Sequence, residues 1–217
     1  DKEIRKLGKE NSSFLVTRIE NVELTFDNVL RNASETDRIY LESRSNMDKI
    51  KPRYLDYICT KRTDLHKGSG SLLDVGCGNG LFSEYLSKWY RVTGEDISEG
   101  GIFKALERSY KNGTLINYRL ADSLAINDKF DVVFMRGPSF LLGSHAKSNE
   151  FTKALKFMFE RTRQHLIFIS FSQEPFGVKN KSANYMHDPI DIENVFSKIG
   201  STSVTFEDGY IVASLTR

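Results

Sequence analysis

Three glycines, Gly76, Gly78 and Gly80, stand at alternate positions directly behind an apolar run, in the stretch Leu73-Asp74-Val75-Gly76-Cys77-Gly78-Asn79-Gly80. Without a Cβ, glycine lets a chain turn sharply and lets its backbone approach a ligand closely. A strand pattern ends at Val75 and a helix pattern begins at Leu81. The unpaired N–H groups of the helix start are therefore aimed at the same place as the glycines. The bare alternative is a tight strand-to-helix turn that holds no ligand. A dinucleotide fingerprint would put its third glycine at position 81, which is Leu81; the glycine falls one residue early, at Gly80.

Other residues carry potential chemistry of a different kind. Arg136 stands in Met135-Arg136-Gly137-Pro138-Ser139-Phe140, directly after an apolar strand pattern. Sites in open α/β sheets gather at the carboxyl ends of strands. The planar fork of an arginine there suits a carboxylate, phosphate or phosphonate on an acceptor, and its plainer reading is a pair with a local carboxylate. His145, His187, Tyr40 and Tyr185 are candidates for a general base or for positioning an acceptor. Each is equally a residue type of surfaces and packing. His187 precedes a helix cap and is expected to be exposed. Cys77 reads as a small filler of the loop rather than a nucleophile.

The elements that must position these residues follow from periodicity. Ser71 to Val75 is a buried strand, Leu81 to Trp89 a helix, and Arg91 to Gly94 a second strand, which completes one β-loop-α-β unit. Gly101 to Ser109 reads as helix, Ile116 to Leu120 as strand, Phe130 to Met135 as central strand, Glu150 to Thr162 as helix, and Leu166 to Phe171 as another central strand. A helix to Ile199 opens with Asp188 as cap and Pro189 at its first position. Ser203 to Glu207 and Tyr210 to Leu215 flank Asp208-Gly209, a hairpin signal. The alternation predicts a doubly wound α/β domain over 71–217, with a mostly parallel seven-stranded sheet and an antiparallel C-terminal hairpin. Residues 1–70 are charged, glycine-poor and mostly helical in pattern, with Leu15, Ile19, Val22, Phe26 and Val29 at helical spacing, though Val22, Leu24 and Phe26 also alternate as in a strand, and with Pro52 opening a helix through Cys59. They read as a cap. The polar and aromatic stretch 172–187 is long for a connecting loop.

Composition narrows the classes. The chain has 217 residues, enough for one domain with embellishments. Lys plus Arg number 31 against 29 Asp plus Glu, so there is no net field of the kind that binds nucleic acid generally. No run approaches the roughly eighteen apolar residues of a membrane span, and nothing reads as a signal peptide. Two cysteines, one of them inside the glycine loop, suggest a reducing compartment, with the cytoplasm as the default.

The run from Leu73 to Gly80 resembles the first motif of the class I S-adenosylmethionine-dependent methyltransferase family, and the resemblance extends from about Ser71 to the C-terminus. Val92-Thr93-Gly94-Glu95-Asp96-Ile97-Ser98 looks like the family's second-strand motif. The resemblance implies that Asp96 accepts hydrogen bonds from the ribose hydroxyls, with Ile97 beside it. Leu120-Ala121-Asp122-Ser123 is similar to the segment whose aspartate faces the adenine amino group. Phe130 to Met135 looks like the fourth-strand motif beside the transferred methyl. On this basis Asp74, Gly76, Cys77, Gly78, Asp96, Ile97, Asp122, Ser123 and Met135 are expected to bind S-adenosylmethionine and its product S-adenosylhomocysteine. Asp74 would orient the amino-acid end. Asp122 has a rival reading as a turn-former. Arg136, His145 and Tyr40 are the candidates for chemistry, and Tyr40 falls in the segment that resembles the lid of small-molecule members.

The expected activity is methyl transfer to oxygen or nitrogen of a small molecule, with an anionic acceptor suited to Arg136. The amino-methylating motif of the family, Asn or Asp followed by Pro-Pro-Tyr or Phe, is replaced here by Arg136-Gly137-Pro138-Ser139. A monomer or homodimer is expected, without nucleic acid or membrane as partner and without a metal. Two rivals stay open. One is an RNA or protein acceptor, for which Lys147, Lys153, Lys156, Arg161 and Arg163 offer a basic patch. The other is a non-catalytic module that retains the cofactor pocket.

Overall fold

A computed structural model describes residues 34–41, 52–138, 141, 148–172 and 186–217. The elements in order are α1 (Glu35–Leu41), α2 (Pro52–Asp56), β1 (Ser71–Val75), α3 (Leu81–Leu86), β2 (Arg91–Asp96), α4 (Glu99–Asn112), β3 (Asn117–Leu120), β4 (Phe130–Arg136), α5 (Asn149–Glu160), β5 (Thr162–Ser172), β6 (Met186–His187), α6 (Pro189–Phe196), β7 (Ser201–Glu207) and β8 (Tyr210–Thr216). The strands form one sheet in the order β3-β2-β1-β4-β5-β8-β7. β1 to β5 pair in parallel and β8 runs antiparallel to both β5 and β7. The seven-stranded expectation holds along this path. The two-residue β6 is an addition, pairing with the end of β5 beyond the last partner that β4 supplies.

The strand order reverses at β1, which lies between β2 and β4. That is the topological switch point, where the loops after neighbouring strands part and leave a crevice. Both faces of the sheet are covered, which is why the central strands read as continuous apolar runs rather than alternating ones. On one face Leu73, Val75, Val133 and Met135 pack against Phe151, Leu155 and Met158 of α5 and Ile192 and Phe196 of α6. On the other, Leu72, Val132 and Phe134 pack against Leu55 of α2 and Phe82 and Leu86 of α3.

Local chemistry sets the boundaries. The Ser98 hydroxyl accepts the Gly101 amide at 3.0 Å and caps α4, which ends at Gly113 in the left-handed region. Asp188 caps α6 through the Ile190 amide at 2.8 Å, with Pro189 opening the helix. The β7–β8 turn has Asp208 and Gly209 at φ of 52° and 78°, the two positive values that a tight hairpin needs. β2 runs two residues beyond its expected end at Gly94, and β5 begins four residues before its expected start at Leu166. The expected helix from Pro52 is α-helical only to Asp56 and then widens into a π-type turn over Tyr57–Arg62. The helical pattern at Leu15 to Val29 lies outside the described residues. No helix among the described residues is long and apolar enough to cross a membrane.

Candidate active site

The site forms where β1, β2 and β4 end. Gly76, Gly78 and Gly80 all take left-handed backbone, with φ of 68°, 52° and 74°. The carbonyl of Glu95 in β2 accepts the Gly76 and Cys77 amides at 2.8 and 3.0 Å, so the loop is hung from the neighbouring strand. Asp96 completes it. One carboxylate oxygen accepts the Gly78 amide at 2.8 Å and the other the Ser98 amide at 2.9 Å. Burial raises the Asp96 pKa, and these amides pull it partly back. Ile97 follows, 67 % exposed, an apolar side chain left facing solvent beside the carboxylate.

Asp74 is buried and accepts the Ser83 hydroxyl at 2.5 Å. Burial pushes its pKa up to about 7; the Ser83 bond and the Arg136 charge act against this, and Asp96 adds to it. Strand alternation puts Asp74, Asp96 and Arg136 on the face that α2 and α3 cover. The Arg136 guanidinium lies 5.7 Å from the Tyr54 ring and 5.3 Å from the Phe82 ring, and its Nε donates to the Tyr54 hydroxyl at 3.3 Å. It is half-buried at the edge of the crevice.

The Tyr40 hydroxyl, on α1, lies 2.9 Å from where a Cβ on Gly78 would stand. α1 is fastened by Asp37, whose Oδ1 accepts the Ser98 hydroxyl at 2.7 Å and the Gly100 amide at 3.0 Å. Burial acts to raise the Asp37 pKa, but the bonds from Ser34, Gly100 and Ser98 outweigh it and the pKa is lowered. Gly100 permits this contact, since a Cβ there would meet the Asp37 carbonyl at 2.5 Å.

The placement of His187 and Arg161 differs from what sequence reasoning suggests, while Cys77 and Asp122 take the plainer of their readings. Met135 points to the opposite face and is fully buried in the core, so only its backbone can face the crevice. Asp122 is exposed and its Oδ1 accepts the Leu124 amide at 2.9 Å, the arrangement of a turn-forming aspartate, while Ser123 is buried beside it. Cys77 is buried, and burial raises its thiol pKa well above the ordinary value, which suits a filler. His187 is not exposed. It is 1 % accessible, with Nδ1 bonded to the Ser170 hydroxyl and Nε2 3.0 Å from the Leu141 carbonyl. The basic patch also changes: Arg161 is fully buried, while Lys153, Lys156 and Arg163 remain at the surface. Lys147, His145 and Tyr185 lie outside the described residues, as does most of 172–187.

Sequence reasoning missed Glu95, Arg161, Tyr54, Asp37 and Ser83. Glu95 carried a signal, since a carboxylate inside a buried parallel strand must find a partner. Among the described residues there is no group of three or more His, Cys, Asp or Glu arranged to hold a metal ion.

Residues 72–165 match the sequence profile of a methyltransferase domain. A ubiquinone biosynthesis O-methyltransferase from Ruegeria sp. (strain TM1040) is 33 % identical over 97 residues, which cover 39 % of this chain and 39 % of that protein. The match thus spans well under two thirds of the relative's length. Among solved structures, the DhpI–SAH complex superposes with a TM-score of 0.62 at 18 % identity, covering 82 % of this chain and 93 % of that one. Magnesium protoporphyrin IX methyltransferase (ChlM) from Synechocystis PCC 6803, with bound SAM, gives 0.61 at 19 % identity, covering 88 % and 94 %. At these identities the two structures establish a common fold. Residues 72–165 are thus a methyltransferase domain by sequence profile, and the strand order and glycine loop hung from β2 give the chain the fold of these two solved structures.

Proposed function

We propose that this chain binds S-adenosylmethionine and transfers its methyl group to an oxygen or nitrogen of a small anionic molecule. The observation that carries this reading is the convergence on one face, at the ends of β1, β2 and β4, of the left-handed glycine loop with Asp74, Asp96 and Arg136. These residues fit the cofactor. A Cβ on Gly78 would fill the space between the loop and Tyr40, and Ile97 offers apolar surface beside Asp96 for a purine to cover.

When bound, the cofactor supplies an electrophilic methyl on a sulfonium. The chain's own residues then hold and orient. A carboxylate oxygen that accepts one amide keeps a second lone pair, so Asp96 can take ribose hydroxyls without releasing the loop. Asp74 faces the amino-acid end, where an ammonium would favour its ionised form. Asp122 keeps acceptor capacity for an adenine amino group after its bond to Leu124. Tyr40 covers the loop and excludes water. Arg136 presents two nitrogens in a plane to a carboxylate, phosphate or phosphonate. Holding acceptor and methyl at near-attack distance supplies on the order of 7 kcal/mol or more toward the barrier.

The name of the O-methyltransferase relative supports oxygen as the acceptor atom. The burial of Arg161 removes one charge from the surface that an RNA acceptor would use, which favours the small-molecule reading. Two free, buried cysteines suit a cytoplasmic setting. The test is calorimetry with S-adenosylhomocysteine followed by labelled-methyl transfer onto panels of small carboxylates, phosphates and phenols, with RNA and protein in parallel. Binding plus label on a small anion is expected. No binding, or label only on macromolecules, would overturn the reading.

A further inference from the structure

We propose that Arg161 and Glu95 are positioning residues which hold the glycine loop and the adenine-side loop in fixed relation, and thereby set the preference of the site for adenine over other purines. The inference rests on the cofactor reading above and concerns residues that touch no ligand.

Strand alternation sends Glu95 to the face opposite Asp96. There it is fully buried. Its Oε2 and Oε1 accept Nη1 and Nη2 of Arg161 at 3.1 and 3.2 Å, a fork-to-fork pair between two side chains with no exposure. Such a pair is poor value for stability, because desolvating two charges offsets most of their attraction and an apolar pair of similar volume often serves as well. The geometry supplies another reason for it. Arg161 directs two further donors to the loop after β3: Nη1 donates to the Ser123 carbonyl at 2.9 Å and Nε to the Asp128 carbonyl at 3.1 Å. The Asp128 carboxylate is bridged to Arg119 at 2.5 Å, and Arg119 in turn reaches Glu95 at 3.5 Å. One guanidinium, aimed by Glu95, therefore pins the segment 123–128 at two carbonyls.

The same Glu95 holds the other side of the site through its backbone, since its carbonyl carries the Gly76 and Cys77 amides. Ser123 follows Asp122, the residue opposite the adenine amino group in the proposed complex. Movement of the 123–128 segment relative to β2 would displace Asp122 from that amino group while leaving Asp96 and the glycine loop in place. A lysine cannot substitute, because a single ammonium cannot serve the Glu95 carboxylate and two carbonyls in fixed planar directions.

The probes are S-adenosylhomocysteine and S-inosylhomocysteine, whose hypoxanthine carries an oxygen where adenine carries its amino group. The variants are Arg161→Lys and the charge-free pair Glu95→Leu/Arg161→Met, which removes both buried charges together. Calorimetry of the wild type is expected to favour the adenine ligand by about tenfold or more. In both variants that ratio should fall by about fivefold, through weaker adenine binding, while S-inosylhomocysteine changes by less than about threefold. A purely structural role predicts a different pattern: both ligands weaken in proportion and the ratio holds. That result overturns the proposal, as does a wild type indifferent to the two purines. Loss of folding in both variants assigns the pair to stability and overturns it as well; if only the double variant fails to fold, Arg161→Lys decides. A wild type that binds neither ligand overturns the cofactor reading itself, which is a distinguishable result.

Discussion

The Gly78 amide, in the loop after β1, donates at 2.8 Å to the carboxylate of Asp96 at the end of β2. A bond between the loop that turns around the ligand and the residue proposed to hold the ribose makes the two parts of one device. The Ser98 amide on the other oxygen, at 2.9 Å, fixes the carboxylate at both ends. Asp96 thus shapes the loop before any ligand arrives.

Asp96→Ala is therefore expected to lose a charge-assisted bond to the diol and the brace on the loop together. The loss of a charged hydrogen bond costs about 1.5–3 kcal/mol, or roughly tenfold to a hundredfold in S-adenosylhomocysteine affinity. Gly78→Val should match or exceed that, because a valine at φ of 52° is strained and its Cβ would stand 2.9 Å from the Tyr40 hydroxyl. Calorimetry showing unchanged binding in both variants would refute the cofactor assignment.

Asp74 links binding and stability to pH. Its pKa stands near 7 in the folded chain against 3.8 in its absence, so between those values the folded state holds a proton that the unfolded state has lost. Its contribution to stability is therefore fully present below about pH 4 and is lost as pH rises through 7. Asp74→Asn should then stabilise the chain at pH 8, by on the order of a few kcal/mol. Binding has the opposite sign. The ligand's ammonium favours the carboxylate, so S-adenosylhomocysteine binding releases a proton below pH 7 and weakens as pH falls, by up to about tenfold per unit. Calorimetry at pH 6 and 8 in buffers of different ionisation enthalpy reads that proton. A flat pH response shared by wild type and Asp74→Asn would count against this role.

Asp37 fastens α1 to the start of α4, which places Tyr40 over the glycine loop. Asp37→Ala should loosen α1 and raise the rate of tryptic cleavage after Arg38, an exposed position in α1. Added S-adenosylhomocysteine should slow cleavage in the wild type and less in the variant. Equal rates in all four conditions would remove the lid reading.

Much of this fold was legible because its central strands are buried on both faces and α4, α5 and α6 open on side-chain caps. The run Phe130 to Met135 and the Asp188-Pro189 start announced themselves by type and spacing. The ends of β2 and β5 did not, because Glu95, Asp96, Arg163 and His165 look like loop residues. Their strand state depends on partners distant in sequence: Glu95 is accommodated by Arg161, 66 residues away. The same cause hid the positioning pair. The glycine loop and both site aspartates, by contrast, were visible because a strand-turn-helix carries its own local signature. Tyr54 was not, since nothing in its helix shows that Arg136, 82 residues on, will lie against its ring.

Arg136 is the residue with most at stake for acceptor choice. Its guanidinium lies over the edge-to-face pair of Tyr54 and Phe82, and its Nε donates to the Tyr54 hydroxyl. The two terminal nitrogens are the pair proposed to meet an anion, in the planar fork that a guanidinium presents. Arg136→Lys keeps the positive charge that acts on Asp74, so S-adenosylhomocysteine affinity should stay within a few-fold. It removes the planar fork, so kcat/KM for an anionic acceptor should drop by about tenfold or more, a loss of roughly 1.4 kcal/mol or more in transition-state stabilisation. Tyr54→Phe keeps the ring and removes only the hydroxyl partner. It should give a smaller fall in the same parameter, because the guanidinium keeps its contact with both rings but loses the bond that aims it. Steady-state kinetics with the acceptor identified by labelled transfer, beside calorimetry with S-adenosylhomocysteine, separate the two effects. If Arg136→Lys weakens the cofactor product as strongly as it slows turnover, or if the acceptor carries no anionic group, Arg136 is a packing residue that closes the edge of the core beside Tyr54 and Phe82.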